Sequence, residues 1–93
     1  MNLTQEQLKR IEDLANRTIP VQLIAAAIEV DELELIDEIC LPGTPARGAY
    51  LKGMLQQMVE TRESIIKAAH NGSNPAQAEL LRFLNSNISI LHG

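Results

Sequence analysis

The chain has 93 residues, 45% of them hydrophobic and only 2% aromatic, so it has room for one aliphatic core, which favours packed helices over a sheet. The net charge of −4 excludes a strongly basic nucleic-acid-binding surface. No apolar run approaches the ~20 residues of a membrane span, and the polar start MNLTQEQLKR lacks the features of a signal peptide. We expect a cytoplasmic, all-α single domain over residues 1–93.

The charges are unevenly distributed along the chain. Residues 1–41 carry nine acids and three bases, a net charge of −6, whereas residues 42–93 carry three acids and five bases, a net charge of +2. Such asymmetry favours the steering of partners or a head-to-tail contact between copies.

Capping signals predict about five helices, with approximate bounds of 5–16, 21–28, 32–40, 44–70 and 75–87. Thr4 and Gln7 form a capping box at the first start. Asp31 and Glu34 form a second capping box before the third helix.

The fourth helix organises the predicted fold. Thr44 suits its N-cap, Pro45 its first position and Gly72 its C-terminal stop. Gly53 is costly inside a helix and indicates close approach of another backbone, while Gly48 is either a second such contact or merely tolerated. The expected buried stripe follows spacings of three, four or seven and contains Leu51, Leu55, Met58, Ile65 and Ala69.

Arg62 interrupts this stripe where an apolar residue is expected. In one interpretation its stem packs along the edge of the core and its head stays in water. In the other it forms an ion pair with the acidic first part, within the chain or across a subunit interface.

The fifth helix is predicted to follow a short loop. Ser73 or Asn74 caps it and Pro75 starts it. Its expected buried side consists of Ala78, Leu81, Phe83 and Leu84. The tail over 88–93 fits no class of element and either lies on the core or contacts a partner.

Residues 20–41 have the outline of a helix-turn-helix, with small Ala residues where the two helices must approach each other. Glu29 stands where a Gly commonly closes the first helix. The second helix carries acids and no Lys or Arg, so it would repel phosphates. The alternative is an acidic interaction surface, formed by Asp31, Glu32, Glu34, Asp37 and Glu38.

Catalytic and metal-binding motifs are missing from the sequence. It contains no Gly-rich phosphate loop, nucleophile elbow or HExxH, and the acids do not follow the pattern of a calcium loop. Cys40 is the only cysteine, and its apolar neighbours predict a buried thiol. We expect a non-enzymatic protein without a cofactor or a metal.

Three stretches carry a family resemblance: IAAAIEVDELEL, AYLKG and RESIIKAAHNGSNPAQAELL. On these stretches the chain from Ile24 to Leu84 resembles small phage-associated helix-turn-helix proteins of Bacteroides-type bacteria, which are similar to terminase small subunits. The resemblance implies a DNA-binding or packaging-associated oligomer that hands DNA to a larger partner protein, with helix-turn-helix helices over 21–28 and 32–40. Residues 44–87 would then form the core and the oligomerisation part.

If DNA is bound, the best phosphate partners in the sequence are Lys9, Arg10, Arg47, Lys52, Arg62 and Lys67, although their helical angles do not gather them on one face. The alternative function is a helical interaction or assembly module with no direct DNA binding. Its acidic part would dock on a basic partner or on the basic part of a neighbouring copy.

Overall fold

A computed structural model of the chain describes the backbone of residues 1–92 and the side chains of residues 1–89. In this described part there is no strand, and five helices follow one another: α1 (Gln5–Asn16), α2 (Val21–Ala27), α3 (Glu32–Cys40), α4 (Pro45–His70) and α5 (Asn74–His92). The all-α class is therefore confirmed. The chain divides into two compact units, unit 1 (Met1–Met58) and unit 2 (Val59–Gly93), and the single domain stays a prediction.

Side-chain caps start the helices of unit 1. The Thr4 hydroxyl accepts from the Gln7 N–H at 3.0 Å, and the Gln7 side chain accepts from the Thr4 N–H at 2.9 Å. The predicted capping box of α1 is thus confirmed. At α3, the Asp31 carboxylate accepts from the Glu34 N–H at 3.0 Å, which confirms the Asp31 half of the second box.

Hydroxyl caps also start the two longest helices. The Thr44 hydroxyl accepts from the Arg47 N–H at 3.2 Å, as its N-cap role requires. The Ser73 hydroxyl accepts from the Ala76 N–H at 3.3 Å, so Ser73 rather than Asn74 caps α5. The helix begins at Asn74 and continues to His92, past the predicted end near residue 87. The tail is therefore helical as far as 92, while the side chains of 90–93 lie outside the described residues.

Three helices end in the same two-bond motif, in which the chain turns through a left-handed residue. At the end of α1, Thr18 has a φ of 63° and donates its N–H to Ala15, while Ile19 donates to Leu14. At the end of α4, Gly72 occupies the corresponding left-handed position, with a φ of 95°. The predicted stop at Gly72 is confirmed.

The end of α2 uses Glu29 in this left-handed position. Glu29 has a φ of 60° and donates its N–H to Ala26, and Val30 donates to Ala25. The turn of the predicted helix-turn-helix therefore forms without a glycine, although a side chain there costs about 1–2 kcal/mol of conformational strain.

The core of unit 1 joins α1, α2, α3 and the first turn of α4. Its buried residues are Ile11, Leu14, Ala15, Ile24, Ala25, Ile28, Leu35, Ile39 and Ala46. Ile11, Ile24 and Leu35 have no accessible surface, and burying each side chain of this size contributes about 1.5–3 kcal/mol. Ile19 and Val30, which follow the two left-handed turns, pack against this core.

The backbones of α1 and α4 approach each other at Gly53. A Cβ atom on Gly53 would overlap the carbonyl oxygen of Glu12 and press on Ala15 and Asn16. The predicted close approach at Gly53 is confirmed. A Cβ on Gly48 would meet open space, so Gly48 is merely tolerated.

The stripe predicted to be the buried face of α4 is wrong in its unit 1 part. Three of its members are at least 46% exposed: Leu51, Leu55 and Met58. The reason is that α4 turns another side to the core of unit 1. Gly53 meets the backbone of α1 and Ala46 is buried in the core, and both lie on that other side of the helix. Cys40 is also exposed rather than buried, because Ile39 takes the position that faces the core.

Unit 2 consists of the last part of α4 and of α5, which are joined by the three-residue loop 71–73. Arg62 meets Phe83, and the carbonyl of Ala69 accepts from the Gln77 side chain at 3.1 Å. The paired residue numbers rise on α4 as they fall on α5, so the two helices run antiparallel as a hairpin.

Candidate functional site

The structure places the predicted cations of unit 1 beside carboxylates and carbonyls. The Nζ atoms of Lys9 and Lys52 lie 3.9 and 3.3 Å from the carboxylate of Glu12. Arg10 is exposed and lines an open groove that also contains Asp13. Glu12 thus brings Lys9 and Lys52 together, and it neutralises part of their charge.

Arg47 lies at the junction of α3 and α4. Its guanidinium donates to the carbonyl of Ile39 at 2.8 Å, and the Thr44 hydroxyl donates to the carbonyl of Glu38 at 2.7 Å. Carbonyls in the last turn of a helix lack partners within the helix and attract cations. Arg47 therefore acts as a C-terminal cap of α3.

In unit 2, Arg62 stacks on an aromatic ring. Its Cζ atom lies 4.3 Å from the centre of the Phe83 ring, which is the geometry of a cation–π contact. Neither sequence-based interpretation of Arg62 named an aromatic partner, since the facing position on α5 cannot be read from α4 alone. Lys67 is exposed.

The acidic residues of α3 face solvent for the most part. Asp31, Glu32, Glu34 and Asp37 are exposed, while Glu38 is partly buried, with its carboxylate 3.7 Å from the terminal nitrogen of Met1. Leu33 is exposed among these acids. The outer surface of the second helix of the motif is therefore acidic and apolar.

The surface that stands out is the apolar side of the hairpin in unit 2. Among the described residues of this unit, only Ala69 is a buried hydrophobic residue, with 5% of its surface accessible. Five larger apolar side chains are each 38–60% exposed: Val59, Ile66, Leu81, Leu84 and Ile88. We call these five residues the hairpin face.

The five side chains point toward the same half of the hairpin, although not all equally. Rotations about each helix axis are counted along the chain at about 100° per residue. On α4, Val59 and Ile66 are rotated by roughly 40–60° from the contact residue Arg62. On α5, the three residues of the face are rotated by roughly 100–160° from the contact residue Phe83. Because antiparallel helices turn in opposite senses when viewed from one end, both rotations lead toward one half of the hairpin. Leu84 faces that half squarely, whereas Leu81 points nearly away from α4. The hairpin is amphipathic, with an apolar side that the chain's described residues leave exposed.

The sequence contained a signal for this surface. Leu81, Leu84 and Ile88 follow the alternating spacing of three and four that marks a helix seam. The prediction that Leu81 and Leu84 are buried is wrong, since α5 turns Phe83 toward α4 instead. The helix α5 has two neighbouring apolar seams, one with Leu81 and Leu84 and one with Phe83. The register of the hairpin decides which of them faces α4, and the sequence of α5 alone does not give that register.

Comparison of the chain with protein families, with curated proteins and with solved structures found no match. Within the described part of the chain, no cluster of three or more His, Cys, Asp or Glu residues is arranged to hold a metal ion. No described helix combines the length and the apolar character needed to cross a membrane.

Proposed function

We propose that this chain is a non-enzymatic helical assembly module, which associates with further helices through the hairpin face and carries a helix-turn-helix-like head in unit 1. The observation that carries the proposal is the contrast in burial between the units. Nine hydrophobic residues form a core in unit 1, whereas the described part of unit 2 buries Ala69.

A hairpin with so small a core has little to offset the loss of chain entropy on folding. Ordering one residue costs about 1–2 kcal/mol, while packing against further helices would recover the hydrophobic free energy of five half-exposed side chains. Assembly therefore supplies the hydrophobic burial that the hairpin lacks by itself. At roughly 400 Å², the face is in the range of the largest apolar patch on an ordinary monomer, which is often a functional surface.

Light scattering on the eluate of a size-exclusion column tests the proposal. We expect the chain to elute with a mass above the 10.3 kDa of one copy. Leu81→Glu, which places a charge in the hairpin face, should reduce that mass because a buried unpaired carboxylate is strongly disfavoured.

Leu23→Glu is the matched control. Leu23 lies in unit 1 and is 59% exposed, against 60% for Leu81. It should leave the mass unchanged. A chain that elutes as a 10.3 kDa species at every concentration, with a helix content that accounts for α5, would overturn the proposal.

A second candidate function is DNA binding by unit 1, as the resemblance to terminase small subunits implies. The observation in its favour is the pair α2 and α3, joined by the left-handed turn at Glu29 and capped by Asp31. The acidic surface of α3 opposes it, so the phosphate contacts would come from outside the motif, from residues such as Lys9 and Arg10.

Fluorescence anisotropy with random duplex DNA at about 50 and 200 mM salt tests this second candidate. Binding that weakens steeply with salt, and that Arg10→Gln weakens further, would support phosphate contacts and a role in DNA packaging beside a larger partner protein. Absence of binding at the lower salt would remove DNA as a direct partner and leave the assembly module.

A further inference from the structure

We propose that the occupant of the hairpin face is a second copy of this chain, and that two hairpins pack face to face as a four-helix bundle around a two-fold axis parallel to α4 and α5. The inference rests on the proposed function and names its partner. Each α4 would then lie against the α5 of the other copy.

The exposed area fits such a dimer. Five half-exposed aliphatic side chains correspond to roughly 400 Å² of apolar surface per copy when each contributes on the order of 80 Å². A stable interface buries about 800 Å² per partner, a little over half of it apolar. The hairpin face together with its polar rim reaches that size without any other surface.

A second copy would also provide the packing partner that a hairpin without a core requires in order to fold. A partner on which folding depends must be present whenever the chain is, and a copy of the chain satisfies that condition by itself. Two-helix hairpins packed face to face give the antiparallel bundle in which every helix has two neighbours. Each apolar side chain then gains contacts from two helices of the partner.

Matching heights along the hairpin select the parallel two-fold axis. The contact of Arg62 with Phe83 sets the register, which puts Ile66 within two residues, or about 3 Å, of the level of Leu81. Val59 is likewise within two residues of the level of Ile88. A two-fold axis parallel to the helices keeps every residue at its own height, so it brings these apolar residues of the two copies to the same level.

The charges beside the face agree with this arrangement. On α4 the outer rim carries Glu60, Glu63 and Lys67, whereas the outer rim of α5 carries the uncharged residues Ala78 and Asn85. Packing α4 against the α5 of the other copy opposes charged residues with neutral ones. No pair of like charges is forced together, which is the requirement for self-association.

Cross-linking in the full chain tests the arrangement. Cys40 is exposed, so the variants are built on Cys40→Ser. A Val59→Cys chain is mixed with an affinity-tagged Ile88→Cys chain, the mixture is allowed to exchange subunits, and the thiols are oxidised. We expect the mixed dimer to be the main cross-linked product, since these two positions face each other between copies.

Each variant oxidised alone is the first control, because equal positions lie diagonally across the proposed bundle and should cross-link several-fold less. Leu33→Cys, in unit 1, controls for random collision. A main product of Val59→Cys pairs would overturn the parallel axis. Two outcomes would overturn the bundle but leave the assembly function in place. One is a mass well above two copies, as in a ring. The other is a dimer that is not cross-linked in the mixture or in either single variant. A single-copy mass would overturn both.

Discussion

Units 1 and 2 are both helical, yet they differ in what holds them together. In unit 1, three helices and the start of α4 surround a core with Ile11, Ile24 and Leu35 at its centre. In unit 2, two helices of a hairpin touch along one seam and leave most of their large apolar side chains half-exposed. Helix length therefore does not indicate which unit has its own hydrophobic core, since the shorter helices form the unit that has one.

We expect the greatest loss of folding stability from a variant that truncates a side chain at the centre of the unit 1 core. Leu35→Ala should destabilise unit 1 by about 2–5 kcal/mol, because the buried methyl groups are lost and a cavity remains. Leu33→Ala, two residues away on the same helix and 71% exposed, should change stability by under about 0.5 kcal/mol. Urea unfolding followed by circular dichroism measures both. Equal losses would mean that Leu35 contributes no more to the core of unit 1 than the exposed Leu33.

The next prediction uses the two glycines of α4 in unit 1. Gly53→Ala should destabilise unit 1 by roughly 3 kcal/mol, because the new Cβ overlaps the backbone of α1. Gly48→Ala should stabilise the helix by about 0.5–1 kcal/mol, since Ala restricts the unfolded chain and meets open space. Thermal unfolding of the two variants would contradict the close approach if both shifted the midpoint in the same direction.

A smaller effect is expected at the turn between α2 and α3. Glu29→Gly should stabilise unit 1 by about 0.5–1 kcal/mol, because Gly adopts the observed φ of 60° without the strain of a side chain. Glu29→Ala removes the same charge but keeps the strain, so it is the matched control. Denaturant midpoints that rise equally for both variants would assign the gain to charge and not to backbone strain.

The smallest effect concerns the seam of the hairpin. Arg62→Gln should weaken unit 2 by about 0.5–1 kcal/mol, since the cation–π contact with Phe83 is lost while the stem is largely kept. Lys67→Gln removes a cation from the same helix without that contact and serves as control. Hydrogen exchange of the amides of α5 should report the loss for Arg62→Gln alone.

The elements of the fold could be predicted from the sequence because local chemistry sets them. Caps at Thr4, Asp31 and Thr44 placed three helix starts, and the stop at Gly72 placed the end of α4. The buried faces of α4 and α5 could not be predicted in the same way. Their residues are apolar on more than one side, so periodicity alone did not decide which side meets a neighbour.

The site was harder to predict than the fold, for physical reasons. Cations were chosen for their charge, but Arg47 caps α3 and Arg62 stacks on Phe83, and both contacts depend on other helices. The hairpin face is recognised because its apolar side chains are exposed. Which side chains are exposed depends on how α4 and α5 are paired. Leu81 illustrates the point: its spacing predicts burial, and the fold leaves it open.

Hydrogen exchange at two protein concentrations tests whether a second copy completes the hairpin of unit 2. If the hairpin of unit 2 is completed by a second copy, the protection of its amides should fall about tenfold on a ~100-fold dilution, because the dissociated fraction grows with the inverse square root of concentration. Protection in the core of unit 1, at Ile11, Ile24 and Leu35, should stay constant. Protection in both units that is independent of concentration would contradict a hairpin completed by a second copy.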